Sequence, residues 1–264
     1  MPSVRRAAVV TNGRNGAVAG ALARLEAVAA EAGVELLPGE SSDAKPDVAI
    51  VLGGDGTMLR ALTRFLGTGV PVIGVNYGRV GFLTAIPADG LESGVRRVFA
   101  GEYEVAELST LEVSLGEVTR VAVNDVVVAG GTLGRMVELG YAIGGEELGI
   151  QPCDGLICAS PAGSTAYNLS NGGPVLVWGI DAMVLTFVAP HTLHIRPLVV
   201  PRGPDLVITN RSAGLEATVL ADGQSVGPLP EGASASVRLG ADRSLLATLP
   251  EVTFFARYAA TFGR

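Results

Sequence analysis

Lysine is almost missing from this chain. Of 19 basic residues in 264, only Lys45 is a lysine, and it stands in the polar stretch SSDAKPD. There is therefore no GxxxxGK phosphate loop and no strand-borne lysine of the protein-kinase type. Any polyphosphate would have to be held by backbone N–H groups, helix N-termini, arginines or a magnesium ion. Positive charge is short as a whole: 26 acidic residues leave a formal net charge of −7. That balance argues against nucleic acid and anionic membrane as partners, since both reward clustered Lys and Arg. Anionic small molecules need only local donors and stay open.

Cysteine is scarce too. Cys153 and Cys158 are the only two, both within PCDGLIC and with no histidine nearby. They read as reduced, buried thiols of a cytoplasmic protein rather than as a zinc site. The start, MPSVRRAAVVTNG, has an apolar run of only four residues, too short for a secretion signal. The longest apolar region, PVLVWGIDAMVLTFVAP, contains Asp181 and is bounded by prolines, so it falls short of a membrane span.

What is present is ordinary globular material, 48% apolar and 17% charged, enough core for one or two domains. The first hundred residues alternate strand and helix signals. Ala7–Val10 reads as a buried strand; the loop TNGRNG leads to a helix near Ala17–Ala32, with Leu22, Leu25, Ala29 and Ala32 on one face and Gly33 as its stop. VELL and DVAIVL read as strands, TMLRALTRFL as a helix stopped by Gly67, VPVIGVN as a strand and LESGVRRVFAGEY as a helix. Continuous apolar strands separated by helices predict a parallel sheet covered on both faces. From Tyr103 to Thr248 the pattern changes to short Val-, Leu- and Thr-rich runs such as TLEVSLG, TRVAVNDVVVAGG and DLVITN, punctuated by Gly, Pro and Asp. These predict a β-sandwich. The tail EVTFFARYAATFGR is helix-compatible and is expected to pack back. The expected parts are thus an α/β domain over 1–104, a β-sandwich over 105–248 and a returning C-terminal segment over 249–264.

Three segments could carry chemistry. In GGDGT a strand ends in glycines and a helix opens, which places the loop at the carboxyl edge of a parallel sheet. Gly53, Gly54 and Gly56 would permit close approach and positive φ, Thr57 could cap the helix, and Asp55 would point into the cleft. The same residues also suit a plain acidic helix start. In VNDVVV, Asn124 and Asp125 are neighbours in a valine-rich strand, where adjacent residues face opposite sides. They form either a turn or a pair that hydrogen-bonds a sugar hydroxyl or a base edge. In DGLICASPAGSTAYNLSNGGPV, Ser160, Ser164, Thr165 and Ser170 follow a strand, and the Tyr167 ring could stack on a base.

In this order and at this spacing the segments resemble the NAD kinases, also called inorganic polyphosphate/ATP-NAD kinases. The resemblance runs from GGDGTMLRA through GVNYGRVGFLT, VNDVVV, the long DGLI…GSTAY…GGP block and PHTLHIRPLVV to ADGQ. GGDGT alone also occurs in lipid kinases; the long block is specific. The resemblance implies a Rossmann-like α/β domain followed by a β-sandwich, with the C-terminal segment returning to the first domain. It implies phosphoryl transfer from ATP or polyphosphate, with Mg²⁺ or another divalent metal, to the adenosine 2′-hydroxyl of NAD. By the same resemblance Asp55 is the catalytic aspartate, and Gly53, Gly54, Gly56 and Thr57 form the phosphate loop. Asn124 and Asp125 bind the adenosine part, Thr165, Ala166, Tyr167 and Ser170 surround adenine and its ribose, Asp154 contacts the nicotinamide end and His191 lies beside the site. Partners would be NAD and ATP, with neither nucleic acid nor membrane, in a homodimer or homotetramer. A non-catalytic NAD(P) sensor and a lipid kinase are the alternatives. The role of Asp222 in ADGQ and the identity of any metal ligands stay open. Two departures stand out: the family's STPTGSTAY reads ASPAGSTAY here, with Ala159 and Ala162, and Pro152 stands where many NAD-specific members carry a polar or charged residue. The second departure predicts relaxed discrimination between NAD and NADH. Initial rates with the two dinucleotides should be comparable, and a negligible rate with NADH would contradict it.

Overall fold

The structure is a computed structural model that describes residues 3–11, 16–39, 45–79, 81–131, 135–192 and 194–263. Most of the TNGRNG loop lies outside the described residues. In chain order the elements are β1 (Arg6–Thr11), α1 (Gly16–Ala32), β2 (Glu35–Pro38), β3 (Val48–Gly53), α2 (Asp55–Arg64), β4 (Val72–Asn76), β5 (Ile86–Pro87), α3 (Leu91–Phe99) and β6 (Glu104–Leu115). They continue with β7 (Val118–Ala122), β8 (Asp125–Gly130), β9 (Val137–Ile143), β10 (Glu146–Cys153), β11 (Gly155–Ala159), α4 (Tyr167–Ser170), β12 (Ala182–Val188) and β13 (Leu198–Pro201). The last are β14 (Leu206–Asn210), β15 (Ala217–Ala221), β16 (Gln224–Leu229), β17 (Ser234–Thr248) and α5 (Phe254–Phe262). The chain forms two compact units, Met1–Glu107 with Ser244–Arg264, and Leu108–Arg243. The two changes of unit thus fall inside β6 and inside β17.

The first unit is α/β. β3 lies between β1 and β4 in parallel register, Ala8 opposite Ala49 and Ile50 opposite Ile73, and β2 extends the sheet beyond β1. Every residue of β3 is buried, which is why the run VAIVLG shows no polar alternation. Leu25, Val28 and Ala29 of α1 pack in one cluster with Ile50, Leu52 and Ile73. Met58, Ala61 and Leu62 of α2 are fully buried at helical spacing. The end of β17 pairs in parallel with β4, Leu246 opposite Val72, and α5 follows with Thr253 as its N-cap, whose side chain accepts the Ala256 N–H. The helices differ from expectation at their ends: α2 starts at Asp55, ahead of Thr57, and stops at Arg64, while α3 stops at Phe99.

The second unit is a β-sandwich. One sheet runs β13-β12-β11-β8-β15-β16, with all its pairings antiparallel. The other layer holds β10, β9, β14 and the first part of β17, with β6 and β7 as an antiparallel pair. Period-two alternation sorts the side chains of the first sheet. Val126, Val128, Leu156, Cys158, Met183 and Leu185 enter the core between the layers, together with Leu139, Leu206 and Val237 from the other sheet. Val127, Ile157, Ala159 and Val184 face the opposite way and pack with Leu176 in a second apolar cluster. The central strands are therefore buried on both faces, as their unbroken apolar sequences require. TRVAVNDVVVAGG, expected as one strand, is two, β7 and β8, separated by a bend at Val123 and Asn124. Among the described residues no helix is long and apolar enough to cross a membrane. Leu156, wholly buried in the inter-layer core, reports on that packing. Leu156→Ala should destabilise by about 2–5 kcal/mol, read as an earlier midpoint in urea unfolding followed by far-UV circular dichroism.

Candidate active site

In the α/β unit, β3 ends at Gly53 and α2 begins at Asp55, with Gly54 as the N-cap at φ −104°, ψ −171° and no side chain capping the helix. Thr57 is therefore not the cap. The helix starts two residues before it, the Thr57 N–H already bonds the Gly54 carbonyl, and its side chain is buried. Nor do Gly53, Gly54 or Gly56 take positive φ. Gly53 and Gly54 are needed for space instead: a Cβ on Gly53 would lie 2.7 Å from Thr57 Oγ1, and one on Gly54 3.0 Å from the Gly78 Cα. Gly56 is different, with nothing near the position of its missing Cβ.

Asp55 is half-buried at the first position of α2. Its two carboxylate oxygens accept the backbone N–H groups of Phe82 (3.0 Å) and Leu83 (2.9 Å). Nearby, Tyr77 N–H donates to the Gly53 carbonyl (3.0 Å). The GGDGT loop and the GVNYGRVGFLT segment are thus tied together, and the carboxylate orientation is set by main chain. Local sequence pattern does not disclose this tie.

In the β-sandwich unit, Asn124 lies in the bend before β8 and Asp125 is the first residue of that strand, buried and in phase with Val127. The bend is gripped from two directions. The Asp222 carboxylate accepts the N–H groups of Val123 (2.8 Å), Asn124 (2.8 Å) and Asp125 (3.1 Å), and Asp222 returns its own N–H to the Asp125 carbonyl (2.9 Å). Asp222 takes a left-handed φ of +47°, a region that Asp tolerates better than most residues. Against the other side, the Asn124 carbonyl accepts the Ser160 N–H (2.8 Å), and Ser160 Oγ donates to the Val123 carbonyl while accepting the Gly163 N–H. A Cβ on Gly163 would collide with the Asn124 carbonyl oxygen, so the GSTAY turn needs its glycine. Asn124 Oδ1 is buried with no hydrogen-bond partner among the described residues, a condition that buried amides seldom tolerate unless an ordered water or a ligand completes them. Burial and the neighbouring Asp222 charge push the Asp125 carboxyl up to about 6. Asp222 is raised by burial against the lowering effect of its three N–H partners.

The segment that follows divides by role. Ser164 and Asn168 are fully buried. Ser164 Oγ donates to the Pro161 carbonyl (2.7 Å) and accepts the Leu176 N–H (2.9 Å). Asn168 donates to the Ser164 and Pro174 carbonyls and accepts from Thr186 Oγ1 (2.7 Å). Thr165 and Ala166 are half-buried, the Thr165 hydroxyl donating to the Ala162 carbonyl (3.1 Å), while Tyr167 and Ser170 are exposed. Asp154 and His191 are exposed on either side of Pro152: Asp154 follows it by two residues, and the His191 N–H bonds the Pro152 carbonyl (2.9 Å).

Residues 35–103 match the model of the ATP-NAD kinase N-terminal domain and residues 123–248 that of the ATP-NAD kinase C-terminal domain. A NAD kinase of Heliobacterium modesticaldum is 41% identical over 214 residues, 79% of this chain and 76% of that protein. The chain belongs to the NAD kinase family. A NAD kinase of Gemmatimonas aurantiaca is 38% identical over 229 residues, 84% of this chain and 79% of that protein. Among solved structures, an NAD kinase from Archaeoglobus fulgidus in complex with ATP superposes with a TM-score of 0.79 at 26% identity, covering 98% of this chain and 97% of that one. Yeast NADH kinase complexed with NADH shares the fold, with a TM-score of 0.85 at 20% identity over 100% of this chain and 89% of that one. The two matched ranges contain the GGDGT, ND and GSTAY segments.

The raised Asp125 carboxyl carries a pH signature. An aspartate in an unfolded chain loses its proton near about 3.9, whereas Asp125 in the fold keeps its proton to about 6. Between those values the folded state binds more protons than the unfolded one, so stability falls as pH rises from about 4 to about 6. Asp125→Asn removes this contribution and leaves that of Asp222. Thermal melts from pH 4 to 7 should show the variant gaining on wild type as pH rises; a constant difference would refute the assignment.

Proposed function

We propose that this chain transfers the terminal phosphoryl group of ATP to the adenosine 2′-hydroxyl of NAD, giving NADP and ADP, with Asp55 as the group that receives the hydroxyl proton. A bond forms between the ribose oxygen and the γ-phosphorus, the bond from that phosphorus to ADP breaks, and the proton passes to the carboxylate. The observation that carries the reading is a carboxylate held by two main-chain amides at the mouth of a glycine loop, in a chain of the NAD kinase family. Each carboxylate oxygen keeps acceptor capacity beyond one N–H bond, so the tether leaves Asp55 able to accept a proton. The first turn of α2, with Gly54 and Gly56, supplies N–H groups and the positive end of a helix dipole toward phosphate, while Thr57, its N–H bonded to the Gly54 carbonyl, closes the turn.

The donor set suits magnesium arriving on ATP. Among the described residues no cluster of three or more His, Cys, Asp or Glu could hold an ion, and Mg²⁺ is commonly held by one or two carboxylates together with substrate phosphates. Bound so, it would supply the charge neutralisation that lysine gives in other phosphate sites. Asn124 and Asp125 take the adenosine part of NAD, a reading supported by the buried, unmatched Asn124 Oδ1. Thr165, Ala166, Tyr167 and Ser170 surround adenine and ribose, the exposed Tyr167 ring offering a stacking face. Asp154 and His191 serve the nicotinamide end. The exposed Leu148 and Ile150 of β10 support a homodimer or homotetramer. The two free, buried cysteines suit a cytoplasmic location.

A coupled assay for NADP formation from NAD, ATP and Mg²⁺ tests the reaction. Asp55→Asn should lower kcat by about 10²–10⁴-fold while NAD binding by calorimetry stays near wild type. An Asn variant with full activity would remove Asp55 as the base.

A further inference from the structure

We propose that Arg257 is a positioning residue for Asp55, acting through the peptide group between Phe82 and Leu83. The inference rests on the reading of Asp55 as the base. Arg257 lies on α5 and is 5% exposed. Its guanidinium donates to the Phe82 carbonyl (2.7 Å), to the Thr84 carbonyl and to Thr248 Oγ1 (2.9 Å). The Phe82 carbonyl belongs to the same peptide group as the Leu83 N–H, which donates to Asp55 Oδ1 (2.9 Å). One planar amide therefore stands between a cation and the carboxylate, its oxygen on Arg257 and its N–H on Asp55. A charge donating to a carbonyl polarises the amide and strengthens the hydrogen bond made by its N–H. The second amide on Asp55, that of Phe82, belongs to the stretch that Arg257 grips at both the Phe82 and Thr84 carbonyls.

Packing alone does not call for a guanidinium here. Burying one is unfavourable unless its N–H groups are matched, and an apolar side chain would fill the space without that demand. Burial pushes Arg257 down to about 10, and the Asp55 charge opposes that shift. Aromatic contacts keep α5 in register on the segment: the Phe82 ring meets Phe254 edge-on at 5.8 Å and Phe262 at 6.0 Å. Arg257 touches neither substrate nor the reacting atoms in this scheme. It fixes where the carboxylate points.

The test compares Arg257→Gln, Arg257→Lys, Asp55→Asn and the double variant Asp55→Asn/Arg257→Gln, each measured for kcat, for KM toward NAD and ATP, and for thermal midpoint. Arg257→Gln should lose roughly 10- to 100-fold in kcat, the scale of a small misplacement of a catalytic group, with both KM values little changed. Arg257→Lys keeps the charge but offers a single nitrogen, whereas the guanidinium serves the two carbonyls from Nη1 and Thr248 Oγ1 from Nη2, so it should recover only part of the loss. With Asp55 already replaced, Arg257→Gln should cost almost nothing further, because the group it positions is gone. Wild-type kcat in Arg257→Gln would overturn the proposal, and so would an equal fold-loss with and without Asp55, which marks a purely structural role. Should the Gln variant fail to fold, Arg257→Lys decides by itself: reduced kcat at unchanged KM supports positioning, and unchanged kcat overturns it. Failure of the base reading looks different, since Asp55→Asn would then remain active.

Discussion

A partly buried carboxylate accepting backbone N–H groups is the interaction on which both candidate segments rest. Asp55 takes two amides and joins the GGDGT loop to the Phe82–Leu83 segment. Asp222 takes three and shapes the Val123–Asp125 bend. Main-chain amides are held in place by the elements on either side of them, so a carboxylate bonded to two or three of them inherits their rigidity. An Asp–Lys pair would hold neither loop so closely, because a lysine carries a flexible stem. In a chain with a single lysine, amide donors take over a task that side-chain cations perform elsewhere.

The two carboxylates differ in what they anchor. Asp222 is itself the fixed point: its left-handed φ and its reciprocal bond to the Asp125 carbonyl lock it into the turn between β15 and β16. It settles the backbone of Asn124 and Asp125, leaving one buried amide oxygen unmatched and one carboxyl raised by burial. Asp55 is the group being aimed, and its amides are in turn set by a buried arginine from α5. Support thus runs from a distant helix through a peptide group to the carboxylate, as a preorganised site requires.

The GSTAY block shows how one motif divides its residues. Ser164 and Asn168 turn inward and spend their hydrogen bonds on Pro161, Leu176, Pro174 and Thr186. Thr165, Ala166, Tyr167 and Ser170 stay half-buried or exposed. The block is at once a lid on the outer face of the six-stranded sheet and a candidate binding surface. The inward polar residues are what let a segment so poor in apolar side chains hold a fixed shape.

Much of the fold is legible in the sequence, because strand and helix periods are local. β3 shows itself in VAIVLG, α1 in its apolar stripe and β8 and β11 in their unbroken valine, leucine and isoleucine. Strands β10, β13 and β16 escape such a reading, since EELGIQPC, LVVP and QSVGPL carry exposed residues, proline or glycine and take their pairing from neighbours. The candidate site residues are nameable from the motifs, yet their supports are not. Asp55 meets Leu83 across 28 positions, Asp222 meets Asn124 across 98, and Arg257 meets Phe82 across 175. The chain by itself determined the element types, the buried faces and the chemistry on offer, all of which depend on residues near in sequence. Only the tertiary structure decided that GGDGT needs its first glycines for space rather than for φ, that Asp222 builds the ND bend and that Arg257 reaches Asp55 through one amide. Those are hydrogen bonds and close contacts between distant segments, and nothing within either segment encodes the partner.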